Sequence, residues 1–277
     1  MSQPAEGARP ILTLTTDFGT AGGYAGALKG AVLSLAPEAA IHDISHDIAP
    51  HAVAEGAWCL GRAAPRFPGG TVHLAVVDPG VGSARAGLII ETERFLLVGP
   101  DNGLLTLAAQ KGGFRRATAI EESPPHWKRS GSFDGLTLFA PVAARLLLGE
   151  APERFGAAVE KIVELPAPAP LAEAGIVEGE VLLFDHFGNA ITNITPAHLG
   201  GAAPRRVLLA SGEEARPCGH YAELAGTSDE VGAIWNSDGQ LELAIYGASL
   251  QKSRGMRVGE GVRVVLEDAV ELVEGPR

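Results

Sequence analysis

The chain has 277 residues, 46% of them hydrophobic, and a formal net charge of −11, so it can bury a large core in one large or two modest domains. The acidic balance disfavours a nucleic-acid surface, which needs clustered Lys and Arg. The apolar runs fall well short of the roughly 20 residues of a membrane span, and the N-terminus lacks a signal-peptide pattern. We therefore expect a soluble, cytoplasmic protein whose ligand is a small molecule, with no nucleic-acid or membrane partner.

The chain opens with a predicted strand, loop and helix. Residues 11–16 alternate as in a strand, residues 17–26 are rich in glycine, and residues 27–35 have a helical pattern. The glycines are out of register with the dinucleotide fingerprint G-x-G-x-x-G, which disfavours a dehydrogenase. Asp17 directly follows the strand, where its carboxylate could accept both hydroxyls of a ribose or could cap a turn or helix.

A second strand, at 40–47, carries His42 and His46 beside aspartates and precedes a helix at 53–62. Residues four apart on a strand are not gathered at one point, so this spacing does not favour a metal site. Cys59 and Cys218 lie far apart without a Cys-x-x-Cys spacing, which argues against a disulfide framework and against zinc. We predict no metal.

Residues 71–77 form a predicted buried strand that ends abruptly at Asp78, Pro79 and Gly80. The carboxylate of Asp78 then lies at the C-terminal edge of a sheet, where open α/β folds bind their ligands. Arg85 follows seven residues later. Together the two side chains could orient a small polar reactant, or they could form a structural ion pair in a loop.

A hairpin at 87–90 and 95–98 and a helix at 104–110 come next, and the intervening Asp101, Asn102 and Gly103 indicate a turn or cap. Asp134 precedes an apolar helix at 138–149 and, as a bare feature, is most simply an N-terminal cap. The alternation of Pro and Ala at 166–170 is typical of a stiff linker. It predicts an N-terminal α/β domain at 1–165 and a C-terminal domain at 166–277.

Beyond this linker the sequence changes to short strands with glycine turns, the pattern of a small antiparallel barrel or sandwich. Two of its loops are chemically unusual. The loop at 185–189 contains an aromatic ring and an amide that could stack on and hydrogen-bond a purine, or it could be a β-turn with a core Phe. The loop at 236–239 is a polar turn between apolar strands.

Seven stretches, in order along nearly the whole chain, resemble the S-adenosylmethionine hydrolases, also called SAM hydroxide adenosyltransferases, which are related to the fluorinases and chlorinases. The stretches are 12–19, 41–50, 76–85, 98–106, 132–144, 185–194 and 236–244. The resemblance implies an α/β N-terminal domain with a central, largely parallel sheet, and a C-terminal antiparallel β-barrel domain. It also implies a homotrimer with active sites at the subunit interfaces.

The activity that the resemblance implies is the attack of water or hydroxide on the ribose C5′ of S-adenosyl-L-methionine, giving adenosine and L-methionine without metal or redox cofactor. Asp78 and Arg85 match two of the three groups that hold the nucleophile. The third is His in the family motif Phe-His-Gly-Arg-Asp, and Asp134 stands in its place, between Phe133 and Gly135. Asp17 would hold the ribose diol and Phe187 would stack on adenine. The remaining contacts to adenosine or methionine would come from Asp185, Asn189, Ser237, Glu242 and Ile245.

Asp134 leaves several hypotheses open. If it faces Asp78, one of the two carboxyl pKa values should rise and the two groups could serve as an acid/base pair. The substitution could instead slow hydrolysis, leaving an adenosyl-binding protein with weak or no turnover. A halogenase is disfavoured, because the halogenating relatives lack the Asp that Asp78 matches.

Overall fold

The computed structural model describes residues 9–121, 132–166, 168–227 and 229–266. The chain divides into two units, Met1–Pro166 and Ala167–Arg277. That these units are separate domains, with limits at 1–165 and 166–277 and a stiff linker at 166–170, stays a prediction. Within the described ranges, no helix combines the length and the apolar character needed to cross a membrane.

The first unit is built on a seven-stranded mixed sheet with helices on both faces. Its elements are, in chain order, β1 (Ile11–Thr16), α1 (Tyr24–Leu35), β2 (Ala40–Ser45), α2 (Val53–Ala63), β3 (Val72–Val76), β4 (Gly87–Thr92), β5 (Leu96–Pro100), α3 (Thr106–Gly112), β6 (Phe114–Ala119), α4 (Ala140–Leu147) and β7 (Ala158–Val159). The strand order is β2-β1-β3-β5-β4-β6-β7.

The central strands are apolar because both of their faces are covered, as is usual for parallel strands. On one face, Leu14 and Leu74 pack with α1 and α4, and on the other face Ala75 packs with α2 and α3. The neighbours β2, β1, β3 and β5 run parallel to one another, while β4 is antiparallel to β5 and to β6. The α/β class with a largely parallel core and the predicted hairpin are thereby confirmed.

The register of β1 and β3 brings two predicted site residues to one edge of this sheet. Thr16, the last residue of β1, pairs in parallel with Val76, the last residue of β3. Asp17 follows Thr16 directly, and Asp78 comes two residues after Val76. Both carboxylates therefore leave the sheet at the carboxyl ends of adjacent parallel strands, the edge at which such folds bind ligands.

The second unit is a closed β-barrel. Its elements are β8 (Leu171–Glu173), β9 (Ile176–Phe184), β10 (Ala190–Thr192), β11 (Pro204–Leu209), β12 (Glu214–Cys218), β13 (Val231–Trp235), β14 (Leu241–Ile245), α5 (Leu250–Arg254) and β15 (Gly261–Leu266). The order β10-β14-β13-β12-β11-β15-β9 closes through pairing of β9 with β10, and β8 is added outside at β9. The predicted barrel is confirmed.

One strand pair departs from the antiparallel pattern that the sequence predicts. Strands β12 and β13 run parallel, whereas the other pairs of the barrel are antiparallel. A parallel pair cannot be joined by a tight hairpin, so the chain must return along the barrel before β13 begins. It does so through a 3₁₀ turn, Tyr221–Leu224. This crossover places Tyr221 beside β14, with consequences described below.

Candidate active site

The first unit brings Asp78 and Arg85 together as the seven-residue spacing predicts. Nη2 of Arg85 donates to Oδ2 of Asp78 at 2.5 Å, and the two side chains are only 8% and 5% exposed. The intervening loop is closed by local hydrogen bonds, among them Ser83 N–H to the carbonyl of Gly80 at 3.1 Å. Asn102 ties the neighbouring turn to the strand end by donating from Nδ2 to the carbonyl of Val77 at 2.9 Å.

Asp134 completes a three-residue cluster, and its interpretation as a helix cap is wrong. It precedes a single π-helical turn, Gly135–Phe139, which continues into α4, but its side chain makes no capping hydrogen bond. Instead Oδ2 of Asp134 accepts a hydrogen bond of 2.9 Å from the same Nη2 of Arg85, and the carboxylate is completely buried. Such π-helical turns commonly occur at functional sites, because the extra residue redirects side chains.

Arg85 is shared between the two carboxylates of this cluster. Two carboxylates share one guanidinium, which also lies over the ring of Phe139, with Cζ of Arg85 5.3 Å from the ring centroid. Burial raises the pKa of Asp78 above its ordinary value; Arg85 opposes the rise, and the negative charge of Asp134 adds to it. The raised carboxyl pKa expected from the sequence is therefore found at Asp78, although burial rather than Asp134 is its main cause.

One oxygen of Asp78 remains available in this cluster. Oδ1 is buried and has no hydrogen-bond partner of ordinary geometry among the described residues, whereas Oδ2 faces Arg85. The backbone N–H of Gly80 lies close enough to the carboxyl group to oppose the rise in its pKa. A buried, unpaired carboxylate oxygen is costly and is usually satisfied by water or ligand. The geometry therefore offers an acceptor for one small polar molecule beside a fixed positive charge.

Asp17 lies in the loop after β1, at the sheet edge described above. Its Oδ2 accepts the backbone N–H of His51 at 3.0 Å, and no described residue donates to its Oδ1. His51 has a φ of 66°, a left-handed conformation that is uncommon for a residue other than glycine. The carboxylate thus does act on a turn, yet it keeps one oxygen free for a ligand hydroxyl.

Sequence analysis missed an aromatic cluster in this unit. Phe18, Tyr24 and Phe133 meet edge to face, with ring centroids 5.1 to 6.4 Å apart. Gly135 allows this contact, because a Cβ added there would lie 3.0 Å from Cζ of Phe18. The cluster joins the loop that carries Asp17 to the segment that carries Asp134. The signal for it in the sequence was a Phe next to each of two candidate site residues, Phe18 after Asp17 and Phe133 before Asp134.

In the second unit, Asp185 organises the predicted purine-binding loop. Its Oδ1 accepts the backbone N–H groups of Phe187 and Asn189, both at 2.9 Å, which is the geometry of an Asx turn. Phe187 is 71% exposed, so the alternative in which it belongs to the core is wrong. Gly188 has a φ of 82° and packs against Ser249, which holds the loop in place.

Glu242 and Asn189 form a buried polar pair beneath this loop. Nδ2 of Asn189 donates to Oε1 of Glu242 at 2.9 Å and to Oδ2 of Asp185 at 3.1 Å. Tyr221 donates its hydroxyl to Glu242 as well, and burial together with that carboxylate raises the pKa of Tyr221. No sequence pattern predicted Tyr221, because it reaches Glu242 only through the crossover between β12 and β13.

The other predicted residues of the second unit occupy two different environments. Ser237 is exposed in the turn at 236–239, where Oδ1 of Asn236 accepts the N–H groups of Asp238 and Gln240. Ile245 is 4% exposed and its side chain belongs to the barrel core. Ligand contacts by these two residues stay predictions.

Comparison with known proteins defines the family. The SAM hydroxide adenosyltransferase N-terminal domain matches residues 12–156, and the C-terminal domain of the same family matches residues 179–263. The (R)-S-adenosyl-L-methionine hydrolase of Thermus thermophilus is 38% identical over 93% of this chain and all of its own length. The (R)-S-adenosyl-L-methionine hydrolase of Salinispora arenicola is 38% identical over 92% of this chain and 97% of its own length. A fluorinase of Actinopolyspora mzabensis is 25% identical over 92% of this chain and 97% of its own length.

Solved structures agree with this assignment. A conserved protein from Thermotoga maritima superimposes with a TM-score of 0.82 at 30% identity, covering 92% of this chain and 99% of its own. A conserved protein from Thermus thermophilus gives a TM-score of 0.75 at 37% identity, covering 93% and 100%. The chain belongs to the SAM hydroxide adenosyltransferase family.

Proposed function

We propose that this protein hydrolyses S-adenosyl-L-methionine to adenosine and L-methionine, by in-line attack of water on C5′ of the ribose. The single observation that carries the proposal is the buried cluster of Asp78, Arg85 and Asp134 in a chain of this family. S-adenosyl-L-methionine is the substrate, and we assign no cofactor to the reaction.

In this reaction the protein has two main tasks: to position the attacking water and to accept a proton from it. The sulfonium is a good leaving group, so the C5′–S bond breaks with its electron pair going to the methionine sulfur. Water supplies the oxygen that bonds to C5′, and its proton passes to a base. The protein holds that water in line with the breaking bond, so the two reactants no longer have to meet and orient in solution. The entropy lost in that meeting is a large part of the barrier in such reactions.

We assign the water to Oδ1 of Asp78, because that oxygen is buried and has no hydrogen-bond partner of ordinary geometry among the described residues. A raised pKa suits the same carboxyl to accept a proton near neutral pH. Arg85 keeps the other oxygen of Asp78 in place and, through Asp134, is itself held from a second side. Two carboxylates beside the reacting carbon favour a cationic sulfonium substrate through electrostatic attraction.

The adenosyl contacts follow the family resemblance. Asp17 would accept from the ribose hydroxyls and Phe187 would stack on adenine. The nucleoside and the methionine part would be completed by Asp185, Asn189, Ser237, Glu242 and Ile245. Support for the Phe187 assignment is its 71% exposure in a loop that the hydrogen bonds of Asp185 hold in one conformation, which leaves the ring accessible to a ligand.

Three further features belong to the proposal. The first is a homotrimer with active sites at its subunit interfaces, which the family resemblance supports. The second is a cytoplasmic location.

The third feature is the stereochemistry of the substrate. The relatives are named for the (R) form of S-adenosyl-L-methionine, and since L already describes the α-carbon, the prefix refers to the sulfonium sulfur. We extend this preference to the present chain.

Chromatography of the products tests the proposal. The purified protein is incubated separately with the (R) and (S) sulfonium epimers, and adenosine and methionine are quantified against a heat-inactivated control. We expect equal amounts of both products, formed faster from the (R) epimer. Calorimetric binding of substrate without product would favour the adenosyl-binding alternative, in which Asp134 has replaced a required His. Formation of 5′-chloro- or 5′-fluoroadenosine in the presence of halide would favour a halogenase.

A further inference from the structure

A buried histidine outside the Asp78 cluster stands at the point where the Asp17 loop leaves the sheet. His46 is 5% exposed, and each of its ring nitrogens faces a side-chain oxygen. Its Nδ1 lies 2.7 Å from Oγ1 of Thr16, and its Nε2 lies 3.1 Å from Oδ1 of Asp43. The second oxygen of Asp43 accepts a hydrogen bond of 2.6 Å from Lys29. We call Thr16, His46 and Asp43 the His46 relay.

The ionised carboxylate of Asp43 determines the direction of each hydrogen bond in the His46 relay. Burial works to raise the pKa of Asp43, but the hydrogen bonds from Lys29 and His46 outweigh it and the pKa is lowered, so Asp43 is an ionised acceptor. Nε2 of His46 must therefore carry a proton. In the neutral ring Nδ1 is then an acceptor, and the hydroxyl of Thr16 donates a hydrogen bond to it.

The far end of the relay is the backbone around Asp17. Because the hydroxyl of Thr16 donates its hydrogen bond to His46, the lone pairs of Oγ1 are available, and Oγ1 accepts a hydrogen bond of 3.2 Å from the backbone N–H of Phe18. The carbonyl of His46 itself accepts the N–H of Gly19 at 2.8 Å. One residue thus holds the two peptide groups that follow Asp17, one directly and one through Thr16.

The same contacts extend to the catalytic cluster. Phe18 packs edge to face on Phe133, with the ring centroids 5.1 Å apart, and lies against Gly135. Asp134 stands between those two residues. A displacement of Phe18 would therefore change both the position of Asp17 and the segment that carries Asp134.

We infer that His46 is a positioning residue, which through Thr16 holds the loop of Asp17 in the geometry needed to bind the two ribose hydroxyls. This inference rests on the proposed adenosyl substrate. Thr16 is completely buried, so its hydroxyl is no nucleophile despite the resemblance of the relay to a hydrolase triad. The relay holds the backbone in place and takes no part in making or breaking bonds.

Ribose recognition can be measured directly by comparing adenosine with 2′,3′-dideoxyadenosine in calorimetric titrations of the full-length protein. A hydrogen bond to a carboxylate makes the unaltered protein prefer adenosine by about tenfold or more. In Thr16→Val and His46→Leu we expect that preference to fall several-fold, with the dideoxynucleoside bound as before. Thr16→Ser, which keeps the hydroxyl, should restore the preference.

Thr13→Val is the matched control. Thr13 lies on the same strand, is equally buried, and contacts His73 at 2.6 Å instead of His46. This control should keep the preference for adenosine, and thermal melts show that each variant is folded. Asp43→Asn, at a partly exposed position, tests the relay if the buried variants fail to fold.

The outcomes separate the two proposals. If the unaltered protein prefers adenosine and the relay variants retain that preference, or lose affinity for both nucleosides equally, the role of His46 is refuted while the proposed function stands. If the unaltered protein binds neither nucleoside and forms no adenosine, both are refuted. Binding of both nucleosides with equal affinity would refute the ribose role of Asp17, and with it the inference.

Discussion

The Nη2 atom of Arg85 lies 2.9 Å from Oδ2 of Asp134, although 49 positions separate the two residues in the chain. The same nitrogen reaches Asp78, so one guanidinium joins two buried carboxylates. The resemblance to the hydrolase family implies a His where Asp134 stands, and an Asp makes the cluster more negative than a neutral or cationic His would. The cationic substrate tolerates this change better than an anionic nucleophile would, which favours attack by neutral water with a carboxylate base.

Asp78→Asn should abolish most turnover while leaving substrate binding nearly intact. The amide can still face Arg85, but it cannot accept the proton of the attacking water, so we expect kcat to fall about 10²- to 10⁴-fold with little change in KM. Asp101→Asn is the control, because Asp101 also follows a strand of this sheet and its side chain accepts, among the described residues, a single hydrogen bond, from the backbone N–H of Val163. A fall in both variants, or in neither, would contradict the assignment of Asp78 as the base.

Asp134→Asn should move the acid limb of the pH profile of kcat/KM to lower pH. The negative charge of Asp134 contributes to the raised pKa of Asp78, so removing that charge lowers the pKa and keeps Asp78 ionised in more acidic solution. The measurement is kcat/KM for both proteins across the acid range. Asp134→His gives a second comparison: if it restores no activity beyond the unaltered protein, Asp134 is not a defect. An acid limb that moves to higher pH would contradict this account.

The sequence predicted the position of Asp78 and Arg85 better than that of Asp134 for a physical reason. A buried strand followed by Asp-Pro-Gly fixes where the carboxylate leaves the sheet, and a seven-residue loop keeps Arg85 nearby. Asp134 joins them through a π-helical turn that has no periodic signal. Position alone therefore suggested a cap, and only the resemblance pointed to the site.

The buried His73 should make the protein less stable in acid. Burial lowers its pKa to about 3, so between that value and its usual 6.5 the unfolded chain binds a proton that the folded chain does not. Stability from this group is present above pH 6.5 and is lost as the pH falls, by about 2 kcal/mol between pH 7 and pH 5. Urea unfolding at the two pH values measures the loss.

The double variant Thr13→Val/His73→Leu removes the titrating ring together with the hydroxyl that bonds it, so no partner is left unsatisfied. Between pH 7 and pH 5 this variant should lose about 2 kcal/mol less of its free energy of unfolding than the unaltered protein does. His186→Gln, at an exposed histidine, should behave as the unaltered protein does. Equal losses in all three proteins would show that His73 does not determine the acid sensitivity.

Phe187→Ala should weaken adenosine binding without destabilising the fold. The ring is largely exposed, so its removal should change the free energy of unfolding by less than about 0.5 kcal/mol. Loss of stacking should lower adenosine affinity roughly three- to tenfold. Phe114→Ala removes an exposed ring in the first unit and should leave affinity unchanged. If the Phe187 variant binds adenosine normally, adenine lies elsewhere.

The second unit shows which contacts a sequence cannot predict. Short strands with glycine turns predicted a barrel, and the Asp185 loop was recognised from its odd composition. The contact of Tyr221 with Glu242 depends on the parallel pairing of β12 and β13, which brings a distant turn beside β14. Such a pairing is set by closure of the barrel as a whole, and no local pattern encodes it.

The most direct test of the central claim is the origin of the 5′ oxygen of adenosine. S-adenosyl-L-methionine is incubated with the protein in H₂¹⁸O, and the adenosine formed is analysed by mass spectrometry, with Asp78→Asn as the control. Attack of water on C5′ predicts adenosine that carries one ¹⁸O atom in its 5′-hydroxyl, together with unlabelled methionine. Adenosine without the label, or no adenosine above the heat-inactivated control, would contradict the account.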